Sequence, residues 1–154
     1  MTILNKKFIG KENYIELVVL DERLSDSSDL YQYLVDHPGK VFFEFSAWLL
    51  DDYSSMTQSF SPFDPWNNTQ IIHADEIYEL SASFLLWQFQ LSRAPENYFH
   101  KMDEFYQRST LSDQEKKDVT RSQMKFDMIE TLGHLTTTLN QIAFQKKCLG
   151  ICGI

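Results

Sequence analysis

Some polar side chains in the sequence have the spacing of metal ligands. Glu130 and His134 lie one helical turn apart, and Glu79 is a further carboxylate that a helical metal-carboxylate enzyme could use with them. Helical di-iron proteins, however, space their Glu and His three residues apart rather than four. We therefore interpret Glu130 and His134 as a local side-chain pair at the rim of the core and keep the metal-carboxylate enzyme as the lesser alternative.

The other histidines also lie near carboxylates or turns. His100 precedes Asp103 and Glu104 at helical spacing, which is typical of a solvated helix face with charge pairing along it. His73 stands at what resembles a helix start, and His37 precedes a proline and belongs to a turn. None of the four histidines has a convincing set of zinc ligands around it. The sequence predicts no metal site and no cofactor.

Nucleophile chemistry has equally little support. Cys148 and Cys152 have three residues between them, unlike the two of redox motifs. We interpret them as small hydrophobic residues near the end of a helix, with a disulfide under oxidation as the alternative. No glycine-rich phosphate loop, nucleophile elbow or dinucleotide-binding fingerprint is present. The sequence therefore favours a protein that is not an enzyme.

Composition indicates a folded, acidic protein in a reducing compartment. The 154 residues, 43% of them hydrophobic, are enough for one domain, residues 1–154. No signal peptide is visible in residues 1–10, and no apolar run is long enough to span a membrane. Two cysteines do not make a secreted disulfide scaffold. We expect a cytoplasmic location.

The charge is concentrated in one part of the chain. Of the net charge of −8, residues 12–96 contribute −12, from 15 acids against three bases. Residues 41–92 contain no Lys or Arg. The same stretch contains seven carboxylates: Glu44, Asp51, Asp52, Asp64, Asp75, Glu76 and Glu79. Phosphate binding needs clustered bases, so nucleic acid is excluded as a direct partner, and a basic protein is favoured.

Aromatic residues are frequent in this acidic stretch. The 12 aromatics of residues 41–92 are Phe42, Phe43, Phe45, Trp48, Tyr53, Phe60, Phe63, Trp66, Tyr78, Phe84, Trp87 and Phe89. One interpretation is that they fill the core while the acids keep the surface soluble. The other is that aromatic anchors with a charged rim form an interface.

The first half of the chain is ambiguous in secondary structure. Residues 13–24 have a Val-Val centre typical of a strand, but their apolar residues also share a helical face, which we favour. A short helix is predicted for residues 29–36. Residues 40–53 are predicted to be a helix, with a strand at 41–45 as the alternative. Residues 54–68, with two prolines, are predicted to be a loop, and loops of this length are often functional.

The second half has clear helical patterns. Residues 75–91 and 113–147 each carry an apolar seam that steps by three and four, and residues 95–108 are predicted to form a helix between them. Gly150 is a natural stop for the last helix. Short connections between such seams imply antiparallel packing. We therefore predict a mainly α, antiparallel helical bundle-like domain, with at most a short N-terminal strand.

In overall character the chain resembles bacterial immunity proteins, in particular those of contact-dependent growth inhibition systems. The resemblance lies in small size, acidity, aromatic richness and the lack of motifs. It implies that the protein binds the nuclease domain of a delivered toxin, with an RNase favoured over a DNase, and blocks its active site. Such toxins are typically basic, which fits an acidic inhibitor.

The residues expected to contact this partner lie in the acidic, aromatic middle of the chain. They are Asp51, Asp52, Phe60, Phe63, Asp64, Trp66, Asp75, Glu76 and Glu79. The main alternative is a helical adaptor or regulatory protein whose partner is not a toxin.

Overall fold

The described part of the chain folds around a four-stranded antiparallel sheet with helices packed on it. The computed structural model describes residues 3–5, 13–21, 24, 29–57, 69–95 and 121–153. In chain order the elements are β1 (Asn13–Leu20), α1 (Leu30–Asp36), a 3-10 turn (Pro38–Lys40), β2 (Val41–Ser46), α2 (Ala47–Thr57), β3 (Thr69–Ile72), α3 (Ala74–Arg93), α4 (Arg121–Phe144) and β4 (Cys148–Gly153). The strands lie side by side in the order β2-β1-β4-β3.

This mixed α/β architecture corrects the prediction of a mainly α bundle. The main core lies between one face of the sheet and helices α2, α3 and α4. A smaller cluster on the opposite face packs Leu30 and Tyr33 of α1 against Val18 and Leu20 of β1. The sheet therefore separates α1 from α2, α3 and α4.

The helix favoured for residues 13–24 is wrong, because residues 13–20 form β1. Both faces of this strand are covered, so Leu17, Val18, Val19 and Leu20 are all buried. A strand buried on both faces has a continuous apolar run instead of an apolar-polar alternation. Without the alternation, the apolar residues also fit one side of a helix, so the sequence pattern does not distinguish the two elements.

The predicted helix of residues 40–53 is two elements. Residues 41–46 form β2, as the strand alternative had it, and α2 begins at Ala47 and continues to Thr57. The first residues of the predicted loop at 54–68 therefore belong to a helix, and residues 58–68 lie outside the described part. The predicted helix of residues 29–36 is confirmed by α1.

The two apolar seams of the second half are confirmed as an antiparallel helix pair. Ser81 donates to the carbonyl of Thr136 at 3.5 Å, and Gln88 donates to that of Ile129 at 2.8 Å. As the residue number rises on α3 it falls on α4, so the two helices run in opposite directions. The predicted helix of residues 95–108 lies outside the described part, except for Pro95.

The last helix ends earlier than predicted, at Phe144 rather than residue 147. Lys146 has φ of 56° and its N–H bonds to Ala143, while Lys147 bonds to Ile142, which is the Schellman pattern of a helix end. Gly150, predicted as the stop, lies inside β4. Both cysteines lie in this strand rather than in a helix.

Gly150 is required by the close packing of α1 on β4. A Cβ at this position would lie 2.8 Å from Cδ1 of the buried Leu30 and 3.5 Å from Cβ of Val18. We expect Gly150→Ala to lower the free energy of unfolding by about 1–3 kcal/mol, since the buried Leu30 side chain must leave its packed position. Urea denaturation measures it. Gly39→Ala is the matched control, because nothing lies within 4 Å of its added methyl group; equal losses for the two variants would contradict the packing argument.

Two glutamates lie directly opposite each other on adjacent strands. Glu16 of β1 pairs with Glu44 of β2, and the pKa of Glu16 is raised, first by burial and second by the charge of Glu44. A raised carboxyl pKa means that the fold favours the protonated form, so the penalty is present at neutral pH and disappears as the pH falls through the folded-state pKa. We expect Glu16→Gln to stabilise the protein by up to about 1 kcal/mol at neutral pH and to change nothing near pH 3. Thermal unfolding across pH tests this, and an equal gain at both pH values would contradict it.

Candidate protein-binding surface

The start of α3 brings three of the predicted binding residues together at the surface. Asp75 and Glu76 lie in its first turn and Glu79 one turn further, and all three are exposed. Carboxylates stabilise the positive N-terminal end of a helix, so the first two also have a structural role. The only base of α3 is Arg93, in its last turn. The first half of this helix therefore presents negative charge to solvent.

An apolar stripe runs along α3 beside these acids. Tyr78, Leu85 and Phe89 are spaced by seven and four residues, which places them on one side of the helix. They are exposed to 48%, 56% and 54%. The core residues of α3, in contrast, are fully buried. The stripe is thus additional to the seam that holds the helix in the fold.

Helix α4 extends this apolar surface. Phe144 is 82% exposed and lines, with Tyr78, a groove of about 480 Å³ between the two helices. Phe126, 74% exposed, lies 18 residues earlier, which is five full turns and hence the same side of α4. We call Tyr78, Leu85, Phe89, Phe126 and Phe144 the α3–α4 face. Single exposed apolar residues are normal on surfaces, and several of them on one side of a helix pair make that side a candidate contact site.

The two predicted binding residues of α2 lie in different surroundings. Asp51 is exposed. Asp52 is only 5% exposed, and its Oδ2 accepts a hydrogen bond of 2.6 Å from Nε1 of Trp87. Because Trp87 is fully buried, Asp52 supports the packing of α2 on α3 and is not presented to a partner in this structure. Its partner lies 35 residues away, so no local pattern could have revealed this role.

We expect Asp52→Ala to lower the free energy of unfolding by about 1–3 kcal/mol, because the buried indole N–H of Trp87 loses its acceptor. Chemical denaturation followed by tryptophan fluorescence measures the loss. Asp51→Ala, the same change at the exposed neighbouring position, should alter stability by no more than about 0.5 kcal/mol. Similar losses for the two variants would show that the hydrogen bond is not what matters.

The other predicted binding residues, Phe60, Phe63, Asp64 and Trp66, lie outside the described residues. The aromatics assigned to the core by the alternative interpretation include a buried cluster of Phe43, Phe45, Tyr53, Phe84 and Trp87. Tyr78 and Phe89 of the middle stretch are exposed.

The ligand set of the metal-carboxylate alternative is not brought together. Glu130 and His134 contact each other at 3.6 Å on the exposed side of α4. The residue of α3 that lies next to this part of α4 is Gln88, whose side chain bonds to the carbonyl of Ile129. Glu79 lies nine residues before Gln88, about 13 Å away along α3. Within the described ranges no three His, Cys, Asp or Glu side chains are grouped as metal ligands would be.

A cavity that sequence reasoning missed lies at the start of α3. Cys148 of β4 and His73, the residue before α3, place Sγ and Nδ1 3.4 Å apart. They line a cavity of about 620 Å³. Its charged walls are Asp21, Asp75, Lys146 and Lys147. The thiol and the imidazole are 75 residues apart in sequence, so only the fold reveals that they meet.

Comparison with known proteins found no match among family models, curated proteins or solved structures. No helix in the described part of the chain is long and apolar enough to cross a membrane.

Proposed function

We propose that the protein is an immunity protein, which binds a basic toxin nuclease in the cytoplasm and blocks its active site. The observation that supports it best is the start of α3, where three exposed acids lie beside Tyr78. Asp75, Glu76 and Glu79 form the charged part of the contact and the α3–α4 face forms its apolar part.

The acids suit a nuclease because its active site attracts phosphates. A site that binds the nucleic-acid backbone presents Lys, Arg or protonated His, and carboxylates can take the places of the phosphates. An opposite potential on the two proteins speeds their encounter and makes it sensitive to salt. An RNase remains our favoured target over a DNase.

The apolar side chains would hold the complex once it has formed. Aromatic residues at the centre of an interface contribute most of the binding energy, while the charged rim contributes specificity and rate. Tyr78 is the residue of the α3–α4 face nearest to the acids in sequence. It would join the two parts of the contact.

The test is to produce the protein together with the toxin domain encoded beside its gene. We expect the protein to restore growth of cells that make the toxin, to form a stable complex with it and to inhibit its nuclease activity. Association should become slower as ionic strength rises. Lysozyme, an unrelated basic protein, is the control for charge alone.

Two results would remove the proposal. If the protein neither binds the neighbouring toxin nor protects cells from it, only the adaptor alternative remains. Equal affinity for lysozyme and for the toxin would show that the acids attract bases without recognition. Protection with a salt-independent association rate would keep the immunity function and place the contact elsewhere.

A further inference from the structure

The cavity beside α3 has the components of a thiol site, independently of any partner protein. Cys148 is partly exposed and His73 is exposed, so a small molecule can reach both. The contact of 3.4 Å between Sγ and Nδ1 is a hydrogen-bond distance for sulfur. An imidazole at this distance can hold the thiol proton and leave the nucleophilic thiolate, as in thiol–histidine pairs generally.

The second cysteine differs in every relevant respect. Cys152 is 3% exposed, and burial raises its pKa, which keeps the thiol protonated. It lies four residues further along β4, about 13 Å away in an extended strand. A disulfide needs Cα atoms within about 7 Å, so the two cysteines cannot bridge each other without unfolding the strand. A disulfide at Cys148 must come from another molecule.

The walls of the cavity carry charges of both signs. Lys146 and Lys147 follow α4, Asp21 follows β1, and Asp75 lies in the first turn of α3. Asp21 accepts a bond of 2.7 Å from Lys147 and also binds Lys40, and these bonds lower its pKa, which keeps it ionised. A cavity of about 620 Å³ is of the size that small ligands occupy.

We propose that Cys148 and His73 form a thiol-exchange site for small disulfides that carry both carboxylate and ammonium groups, the class of cystine and cysteinyl peptides. The ammonium group of Lys146 suits the carboxylates of such a molecule, and the carboxylate of Asp75 suits its ammonium groups, while Asp21 and Lys147 pair with each other at the wall of the cavity.

The reaction is an exchange with no further reagent. The Cys148 sulfur attacks one sulfur of the disulfide, a new S–S bond forms, and the original S–S bond breaks. Cys148 is oxidised, the departing half is reduced to a thiol, and it takes the proton that His73 received from Cys148. The products are a mixed disulfide on Cys148 and one free small thiol.

The experiment uses cystine as the probe and the intact mass of the full chain as the readout. We expect one half-cystine to be added to the folded protein. Cys148→Ser should abolish the addition, while Cys152→Ser, the matched control, should leave its rate unchanged. In denaturant both cysteines should react. Addition at Cys152 in the folded protein, or none at all, would overturn the proposal.

The role of His73 is tested by the pH profile of the rate. At neutral pH only a few per cent of an ordinary thiol is ionised, so His73→Gln should slow the addition by about ten-fold. At a pH above the usual thiol range both proteins carry a thiolate and the rates should converge. Asp21, Asp75, Lys146 and Lys147 face the same cavity in both proteins, so the comparison isolates the imidazole. Equal rates for wild type and variant at neutral pH would remove His73 from the site.

Discussion

Replacing Phe84 by alanine is expected to lower the free energy of unfolding by about 3–5 kcal/mol. Phe84 is fully buried between the sheet and α2, with ring centroids 5.2 Å from Tyr53, 6.0 Å from Phe45 and 6.1 Å from Trp87. Truncation removes these contacts and leaves a cavity that rigid aromatic neighbours cannot close. Urea denaturation monitored by circular dichroism measures the change.

Phe89→Ala is the matched control on the same helix. Its side chain is 54% exposed and lies beside Arg93, whose guanidinium carbon is 5.6 Å from the ring centroid. We expect a change in stability within about 0.5 kcal/mol, as for most surface positions. If Phe89→Ala were as destabilising as Phe84→Ala, Phe89 would belong to the core and the α3–α4 face would lose one of its residues.

This pair of phenylalanines also shows what the sequence pattern could predict. The seam of α3 steps by three and four through Ile77, Leu80, Phe84, Trp87 and Leu91, and all five are buried. A long amphipathic helix can be predicted from its own sequence, because each turn places an apolar residue on the side that faces the core. Helices α3 and α4 therefore could be identified from local spacing, and so could the exposure of Glu76 and Glu79, which lie off the seam of α3.

The sheet could not be identified in the same way. Strand β1 obtains its backbone partners from β2 and from β4, with Leu17 facing Ile151 at the other end of the chain. No window of neighbouring residues contains that information. β4 itself has the sequence CLGICG, whose glycines weaken the strand signal. Gly150 leaves room for the side chain of Leu30. The sequence pattern predicts it as the end of a helix, whereas it lies inside β4.

The candidate sites divide along the same line. Acids on one helix could be predicted as a group because a helix keeps its neighbours together. The pairing of Asp52 with Trp87, and of His73 with Cys148, depends on which elements the fold brings into contact. Those pairings decide whether a side chain supports the core, faces a cavity or is available to a partner. Residue type and spacing alone do not decide it.

The second large effect is expected for the proposed complex with the basic toxin. Glu79→Lys should weaken binding by roughly 10- to 100-fold, because one reversal removes an attraction and adds a repulsion, and like charges brought together cost several kcal/mol at an interface. Glu79 is the best choice among the three acids since it lies beyond the first turn of α3, where the helix dipole has little effect on stability. The loss should appear mainly in the association rate.

Asp36→Lys is the matched control for this reversal. It changes the net charge of the protein by the same amount, and Asp36 is likewise exposed near a helix end. It lies on α1, on the opposite side of the sheet from α3. Association rates of both variants with the toxin domain, measured at low and high ionic strength, separate a local contact from a general effect of charge. Equal slowing by the two reversals would show that net charge alone steers the encounter.

The apolar part of the contact should behave differently from the acids. Phe89→Ala leaves the charge unchanged and removes an aromatic side chain from the α3–α4 face, so it should raise the dissociation rate by roughly 30-fold, equivalent to about 2 kcal/mol. The association rate and its salt dependence should stay as in the wild type. If Phe89→Ala leaves the dissociation rate unchanged while Glu79→Lys strongly weakens binding, the interface is confined to the acidic start of α3. The C-terminal half of the helix is then not part of it.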